Sequence, residues 1–248
     1  MNLQPYKDAY DELGIVVIPG VFTESEMDRL KREAYMTKPG EITAAGYPHS
    51  PSETQKNKLS LIFFPALAND YINEIRKDPR MQDIVKFFLG NNIKQVNNQI
   101  YFREKGDEDE FAWHQDIVFR KPIERFPNVA EHYMQSVIAV DELKEDNGAI
   151  EFIDKSHKEG DQYLSTRHAL SDMLRKFERK GLKGIKYTAP KGSVLLWNVL
   201  TVHGSEMNHS DGDRMTYMNG YCRAEGCLDY PWYMKDGEVM DIDPKMIP

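Results

Sequence analysis

From residue 94 onward the chain is written in short runs rich in Val, Ile, Tyr and Phe, each closed by a turn signal. The runs cover 95–103, 111–119, 134–140, 149–153, 185–188, 194–199 and 215–221. Strands this short, with Gly, Pro, Asn and Asp between them, fit an antiparallel sandwich or barrel. They do not fit a doubly wound parallel sheet, in which long helices alternate with strands. One helical pattern, 170–179, interrupts them. The expected fold class is therefore mainly β with flanking α-helices. One domain over 1–248 is expected: a largely helical support at 1–93, a β core at 94–223 and a C-terminal tail at 224–248.

The support has its own local signals. A strand over 14–18 ends at Pro19-Gly20. Thr23-Glu24-Ser25-Glu26 reads as a capping box, because the Thr hydroxyl can take a free backbone N–H while Glu26 reaches back. That starts a helix over 24–36. Residues 38–58 are rich in Pro, Gly, Ser, Thr and Asn and are expected to form a long, mobile loop. Helices over 69–77 and 79–89 follow, the second stopped by Gly90.

Composition removes several function classes. Lys plus Arg is 32 against 40 Asp plus Glu, a net charge of −8, and no long basic run is present. Nucleic acid is thus not an expected partner, since phosphate binding needs clustered cations. The longest apolar stretches have four residues, against the ~20 of a membrane span, so no membrane partner is expected. The first residues, Met-Asn-Leu-Gln-Pro-Tyr-Lys-Asp, lack the basic start and apolar centre of a secretory leader. A cytoplasmic location is expected, with Cys222 and Cys227 as unrelated reduced thiols.

Chemistry concentrates around Trp113-His114-Gln115-Asp116. His114 and Asp116 lie two apart in an apolar, strand-like run, and side chains at i and i+2 of a strand share a face. An imidazole and a carboxylate are thereby presented together. A third ligand, for which His203 is the candidate, would complete a two-His-one-carboxylate set that leaves adjacent positions open on a metal. The pair alone proves little: 7 His and 20 Asp give ~0.6 His-x-Asp matches by chance. His209-Ser210-Asp211 repeats the spacing in what reads as a turn, where the two-residue alternation is not enforced. His49, His132, His157 and His168 have no second ligand at metal spacing.

The wider context is more specific. Trp113 to Asp116, Asp146-Asn147-Gly148-Ala149 leading to Ser156-His157-Lys158, Lys191-Gly192-Ser193-Val194-Leu195-Leu196, and the block from His203 to Arg214 together resemble the phytanoyl-CoA dioxygenase-like family of Fe(II)/2-oxoglutarate-dependent oxygenases. The resemblance spans about residues 95–223. It implies a double-stranded β-helix (jelly-roll, cupin-like) core, iron(II), 2-oxoglutarate as co-substrate, and O2. It implies a hydroxylase-type oxidoreductase that releases succinate and CO2. Alternatives are a non-catalytic metal-binding relative acting as a sensor, or a non-redox cupin-type metalloenzyme.

By resemblance, His114, Asp116 and His203 match the iron ligands, and Arg214 the clamp on the 5-carboxylate of 2-oxoglutarate. Ser205 matches a hydroxyl donor to that carboxylate, and Gln99 a glutamine of the co-substrate pocket. Each has a plainer reading: Arg214 as a surface partner of Asp211 or Asp213, Ser205 as turn chemistry, Gln99 as a satisfied strand polar. Two positions depart from the family: Arg103 stands where some members carry Asn, and Lys155 precedes Ser156 where Gly is usual. The partner is a small-molecule metabolite or natural-product intermediate. Arg120, Lys121 and Arg125, interleaved with Phe119 and Phe126, would overhang the pocket mouth and point to an anionic substrate, with Phe119 and His157 nearby. The alternative is a solvated cationic loop paired with Glu124 or Glu131.

Overall fold

Two antiparallel sheets face each other, and helices cover the outer side of the larger one. The computed structural model describes residues 1–37, 61–106, 110–161 and 167–247; the loop expected over 38–58 lies outside the described residues. In chain order the strands are β1 (Ile15–Ile18), β2 (Leu61–Phe63), β3 (Ile93–Arg103), β4 (Phe111–His114), β5 (Tyr133–Ala139), β6 (Ile150–Ile153), β7 (Gly184–Lys186), β8 (Val194–Asn198), β9 (His203–Ser205), β10 (Arg214–Arg223), β11 (Trp232–Lys235) and β12 (Glu238–Val239). The larger sheet runs β1-β8-β5-β10-β3-β11-β12, with β2 added on β3, and the smaller runs β4-β9-β6-β7. This is the jelly-roll core.

The helices are α1 (Gln4–Leu13), α2 (Glu24–Met36), α3 (Asp70–Arg76), α4 (Pro79–Leu89), α5 (Val129–His132) and α6 (Arg167–Arg179). Helix α2 starts where its capping box places it. The Glu26 N–H donates to Thr23 Oγ1 at 3.3 Å, and the Thr23 N–H donates to Glu26 Oε2 at 2.7 Å. It buries Met27, Leu30 and Ala34 on one face. Helix α4 has Asp78 as its N-cap and Gly90 at its end. No helix among the described residues is long and apolar enough to cross a membrane.

The two faces of the larger sheet carry different side chains. Ile18, Ile100, Phe102, Ile138, Val194 and Leu196 pack against Leu30, Ile72, Ile84 and Phe88 of the helices. The opposite face presents Val137, Ala139, Leu195 and Trp197 to Ile150 and Phe152 of the smaller sheet. Alternation along each strand produces this division. It also sends Asn97, Gln99, Tyr101 and Arg103 of β3 toward the smaller sheet, because Ile100 and Phe102 face the helices. The C-terminal segment expected as a tail supplies two strands: β11 pairs with the start of β3, and β12 with β11.

One glycine joins the helical layer to the sheet. Gly192 has φ +82, and a Cβ there would lie 2.1 Å from the Phe22 carbonyl oxygen, while the Phe22 N–H donates to the Gly192 carbonyl at 2.9 Å. Gly192→Ala must strain the backbone or part the two segments, at about 3 kcal/mol. Thr23→Ala removes only a cap, at about 1 kcal/mol. Urea unfolding of both variants checks the ranking, and a smaller loss for Gly192→Ala would refute it.

Candidate active site

Strand β4 ends on His114 and β9 begins on His203, and the two are direct partners across the ladder. Their ring centroids are 4.2 Å apart. The strand expected over 111–119 stops at His114; Gln115 stays extended (φ −112, ψ 137), and Asp116–Phe119 is a 3-10 turn. The two-residue spacing therefore works through a single extended residue and not through a long strand. Gln115 points away into the interior and donates to the carbonyls of Gly160 (3.0 Å) and Leu200 (2.6 Å). His114 and Asp116 are left on the same side.

Asp116 Oδ1 lies 3.8 Å from His114 Nε2 and 3.9 Å from His203 Nε2. Its other oxygen accepts from the Trp197 indole N–H at 2.8 Å. His114 Nδ1 is 2.8 Å from the Ala112 carbonyl and His203 Nδ1 is 2.9 Å from the Thr201 carbonyl. A carbonyl only accepts, so each Nδ1 carries a proton, and each Nε2 is left on the side of Asp116 Oδ1, where its lone pair could be offered to a metal. Burial pushes the His203 pKa down to about 4, which keeps that ring neutral at neutral pH. Burial also opposes ionisation of Asp116, but positive charge beside it, on His203 or His114 when a ring is protonated and on Arg120, outweighs burial and holds the carboxyl below its ordinary range. Among the described residues these three are the one group of His, Cys, Asp or Glu able to hold a metal, with ligand atoms within 4.8 Å of one another. Two neutral imidazoles and one carboxylate suit a divalent ion such as Fe(II), and the residues present fit it.

A cationic end adjoins this set. Ser205 shares a face of β9 with His203, and its Oγ accepts from Arg103 Nη2 at 2.8 Å. Arg103 is the cross-strand partner of Arg214, and both are buried. Asn147 holds its own turn, donating to the Glu142 carbonyl and accepting from the Lys144 N–H at 2.8 Å each. The turn's outward carbonyls then anchor Arg214: Nε donates to Asn147 at 3.3 Å, and Nη2 donates to Gly148. Burial removes the surface reading of Arg214, and Asp211, fully exposed, pairs with Lys105. Gln99, buried on β3, accepts from the Tyr101 hydroxyl at 3.3 Å.

The other expected positions divide. Phe119 stays beside the set, its ring 5.3 Å from that of His114, and Phe111 flanks the same ring at 4.8 Å. Arg120 is not in a loop overhanging a mouth. The 3-10 turn folds it inward, and it is 5% exposed, whereas Lys121 is exposed and Arg125 half-buried. His157 lies at the end of α1, its Nε2 3.3 Å from the Asp11 carbonyl and its ring against Gly14, and no contact brings it to the triad. Cys222 and Cys227 are free, buried in one cluster, and hydrogen-bonded so that the Cys222 pKa is pushed up; they are neighbours, not unrelated thiols. Trp197, for which the sequence favours packing over recognition, orients Asp116. Its place on the inward-facing alternation of 194–199, with an indole N–H that must find an acceptor when buried, was the available signal.

Comparison with known proteins places this geometry. The model of the family described as phytanoyl-CoA dioxygenase (PhyH) matches residues 10–216. The chain is 27% identical over 241 residues to a probable alpha-ketoglutarate-dependent hypophosphite dioxygenase of Stutzerimonas stutzeri, covering 90% of this chain and 82% of that one. It is 23% identical over 240 residues to an ectoine dioxygenase of Sphingopyxis alaskensis, covering 90% and 77%. The crystal structure of EctD from S. alaskensis with bound Fe superposes with a TM-score of 0.74 at 20% identity, over 93% of this chain and 80% of that one, which shows the fold. With its motifs in the matched span and its two sheets in that architecture, the chain belongs to the phytanoyl-CoA dioxygenase (PhyH) family.

Proposed function

We propose that the protein is an Fe(II)- and 2-oxoglutarate-dependent dioxygenase that hydroxylates a small-molecule substrate and releases succinate and CO2. The observation that carries this reading is the His114–Asp116–His203 set lying beside a buried end made of Arg214, Arg103 and Ser205. The relatives named as dioxygenases support it. Iron(II), held by His114 Nε2, Asp116 Oδ1 and His203 Nε2, would supply O2 activation coupled to oxidative decarboxylation of the 2-oxo acid.

The chain's own residues do the rest. The Ala112 and Thr201 carbonyls fix the imidazole tautomers, and Trp197 keeps Asp116 presenting one oxygen. Arg214 would grip the 5-carboxylate of 2-oxoglutarate with a planar fork that Lys cannot reproduce. The carbonyls of Asn147 and Gly148 aim that fork without adding negative charge. Ser205 and Arg103 lie at the same end, with Gln99 on the adjoining β3 face. Phe152 and Trp197 pack against the His203 ring, at 5.5 and 5.2 Å between centroids, and exclude water on that side.

Anaerobic addition of Fe(II) and 2-oxoglutarate is expected to give a weak visible charge-transfer band, and air to give succinate. A sensor or a non-redox metalloenzyme gives no such pair of signals. Asp116→Ala is expected to lose the band and the coupled turnover; substantial succinate from this variant, without added carboxylate, would sink the triad assignment. Arg214→Lys is expected to raise the KM for 2-oxoglutarate well over tenfold, because a two-pronged contact to a charge is worth roughly 1.5–3 kcal/mol. Steady-state kinetics decide this, and an unchanged KM would leave Arg214 with a structural role alone.

A further inference from the structure

Of the three cations that follow the metal motif, one is turned into the molecule. Arg120 caps the 3-10 turn that begins at Asp116, its N–H donating to the Ile117 carbonyl at 3.0 Å. Its guanidinium lies over the Tyr133 ring at 4.5 Å and donates to the Tyr133 hydroxyl at 2.6 Å. That hydroxyl donates to Gln135 Oε1 at 2.6 Å. Gln135 and Asn97 exchange amide contacts at 3.2 and 3.3 Å. The four side chains form one connected polar patch on the inward face of the larger sheet, and all four are buried.

Gly220 makes the patch possible. It stands opposite both Asn97 and Gln135 in the ladder, and a Cβ there would lie 2.1 Å from the Tyr133 hydroxyl and 2.7 Å from Asn97 Oδ1. The patch is also set against the reacting centre. Gln135 is the cross-strand partner of Trp197, whose N–H holds Asp116, and the Arg120 charge acts on that carboxylate.

Its position along β3 separates it from the co-substrate end. Asn97 and Arg103 share a face six residues apart, on the order of 20 Å of strand. Arg103 belongs to the Ser205–Arg214 end and Asn97 to the Arg120 end, and Asp116 is tied to the second through Trp197. A buried guanidinium is retained at the expense of desolvation, and here it sits with a phenol and two amides that spend their hydrogens on one another and could turn them to an entering oxyanion.

Resting on the function proposed above, we propose that Arg120, Tyr133, Gln135 and Asn97 form the primary-substrate site and that the substrate is a compact oxyanion of the carboxylate, phosphinate or phosphonate class. Compactness follows from the near-complete burial of every member of the patch. A bulky group would have to displace the paired strands β5, β8 and β10 around the patch.

The test is calorimetric titration of the anaerobic Fe(II) holoprotein, first with 2-oxoglutarate and then, at saturating 2-oxoglutarate, with hypophosphite, methylphosphonate or acetate. The three probes distinguish the oxyanion types. Wild type is expected to bind at least one of them. Arg120→Gln is expected to weaken that anion at least tenfold, with 2-oxoglutarate within twofold of wild type, and Arg120→Lys to fall between the two. Should Arg120→Gln fail to fold, Tyr133→Phe, which removes one O–H, decides: about threefold weaker anion binding is expected. Unchanged anion affinity in the folded variants, or a wild type that takes 2-oxoglutarate but none of the three anions, overturns the proposal. A wild type that does not bind 2-oxoglutarate in the first titration overturns the function beneath it, and the proposal with it.

Discussion

The register of β4 against β9 is the constraint on which the site depends. His114 and His203 come from segments almost ninety residues apart in sequence, and they meet because they are direct partners across one ladder. A slip by one residue would send one imidazole to the opposite face. The register is held from both sides: β6 pairs with the other edge of β9, placing Phe152 opposite His203, and Gln115 bridges the Leu200 and Gly160 carbonyls just beyond β4. Asp116 then has little freedom, since Trp197 takes one of its oxygens and leaves the other facing the rings.

The same geometry sets the order of positive groups along the interior. Strand β3 contributes to both ends through side chains that alternate onto one face, and β10, its partner over most of its length, contributes Arg214 at one end and Gly220 near the other. Residue size does as much here as charge. Where Arg214 and Arg103 stand opposite each other, long side chains reach to the smaller sheet; where Gly220 stands, the absence of a side chain lets Tyr133 and Asn97 occupy the space. One pair of strands thus carries two chemically different ends without any change of fold.

Much of this was legible in the sequence, and the missing part has physical causes. The His-x-Asp pair, His203 and Arg214 were readable because fixed spacings on short strands put them together. The strand pattern at 111–119 outruns the strand because apolar residues of the 3-10 turn, Ile117 and Val118, continue it while their backbone turns. Helix α1 carries no capping signal: its N-cap is Leu3 and no side chain caps it, whereas α2 and α4 are capped by Thr23 and Asp78. The pairing of β11 with β3 could not be read because partner choice is non-local. Lys155 explains itself only in three dimensions. Its φ of +62 is the left-handed conformation for which the family's usual glycine is suited, and its Nζ meets Glu12 at 2.5 Å while its N–H donates to the Leu13 carbonyl at 2.7 Å, so contacts to the end of α1 offset the strain of a side chain there. Arg120 was readable as a cation but not as a buried one, because burial depends on the turn that precedes it.

The distribution of charge carries one more consequence. The chain as a whole is acidic, at −8, so its long-range field does not draw an anion toward it. At physiological ionic strength that field is screened within ~8 Å, and it acts on encounter more than on the bound state. Inside, Arg103, Arg120 and Arg214 are all buried, where charges at contact distance interact through a medium far less polarisable than water. If the substrate is anionic as proposed, its selection must therefore be made after entry, by short contacts with the buried cations. Such selection acts on the dissociation rate more than on the association rate. An acidic exterior around a basic interior is thus no contradiction: the two charge sets act over different distances, and only the inner one would meet a bound substrate.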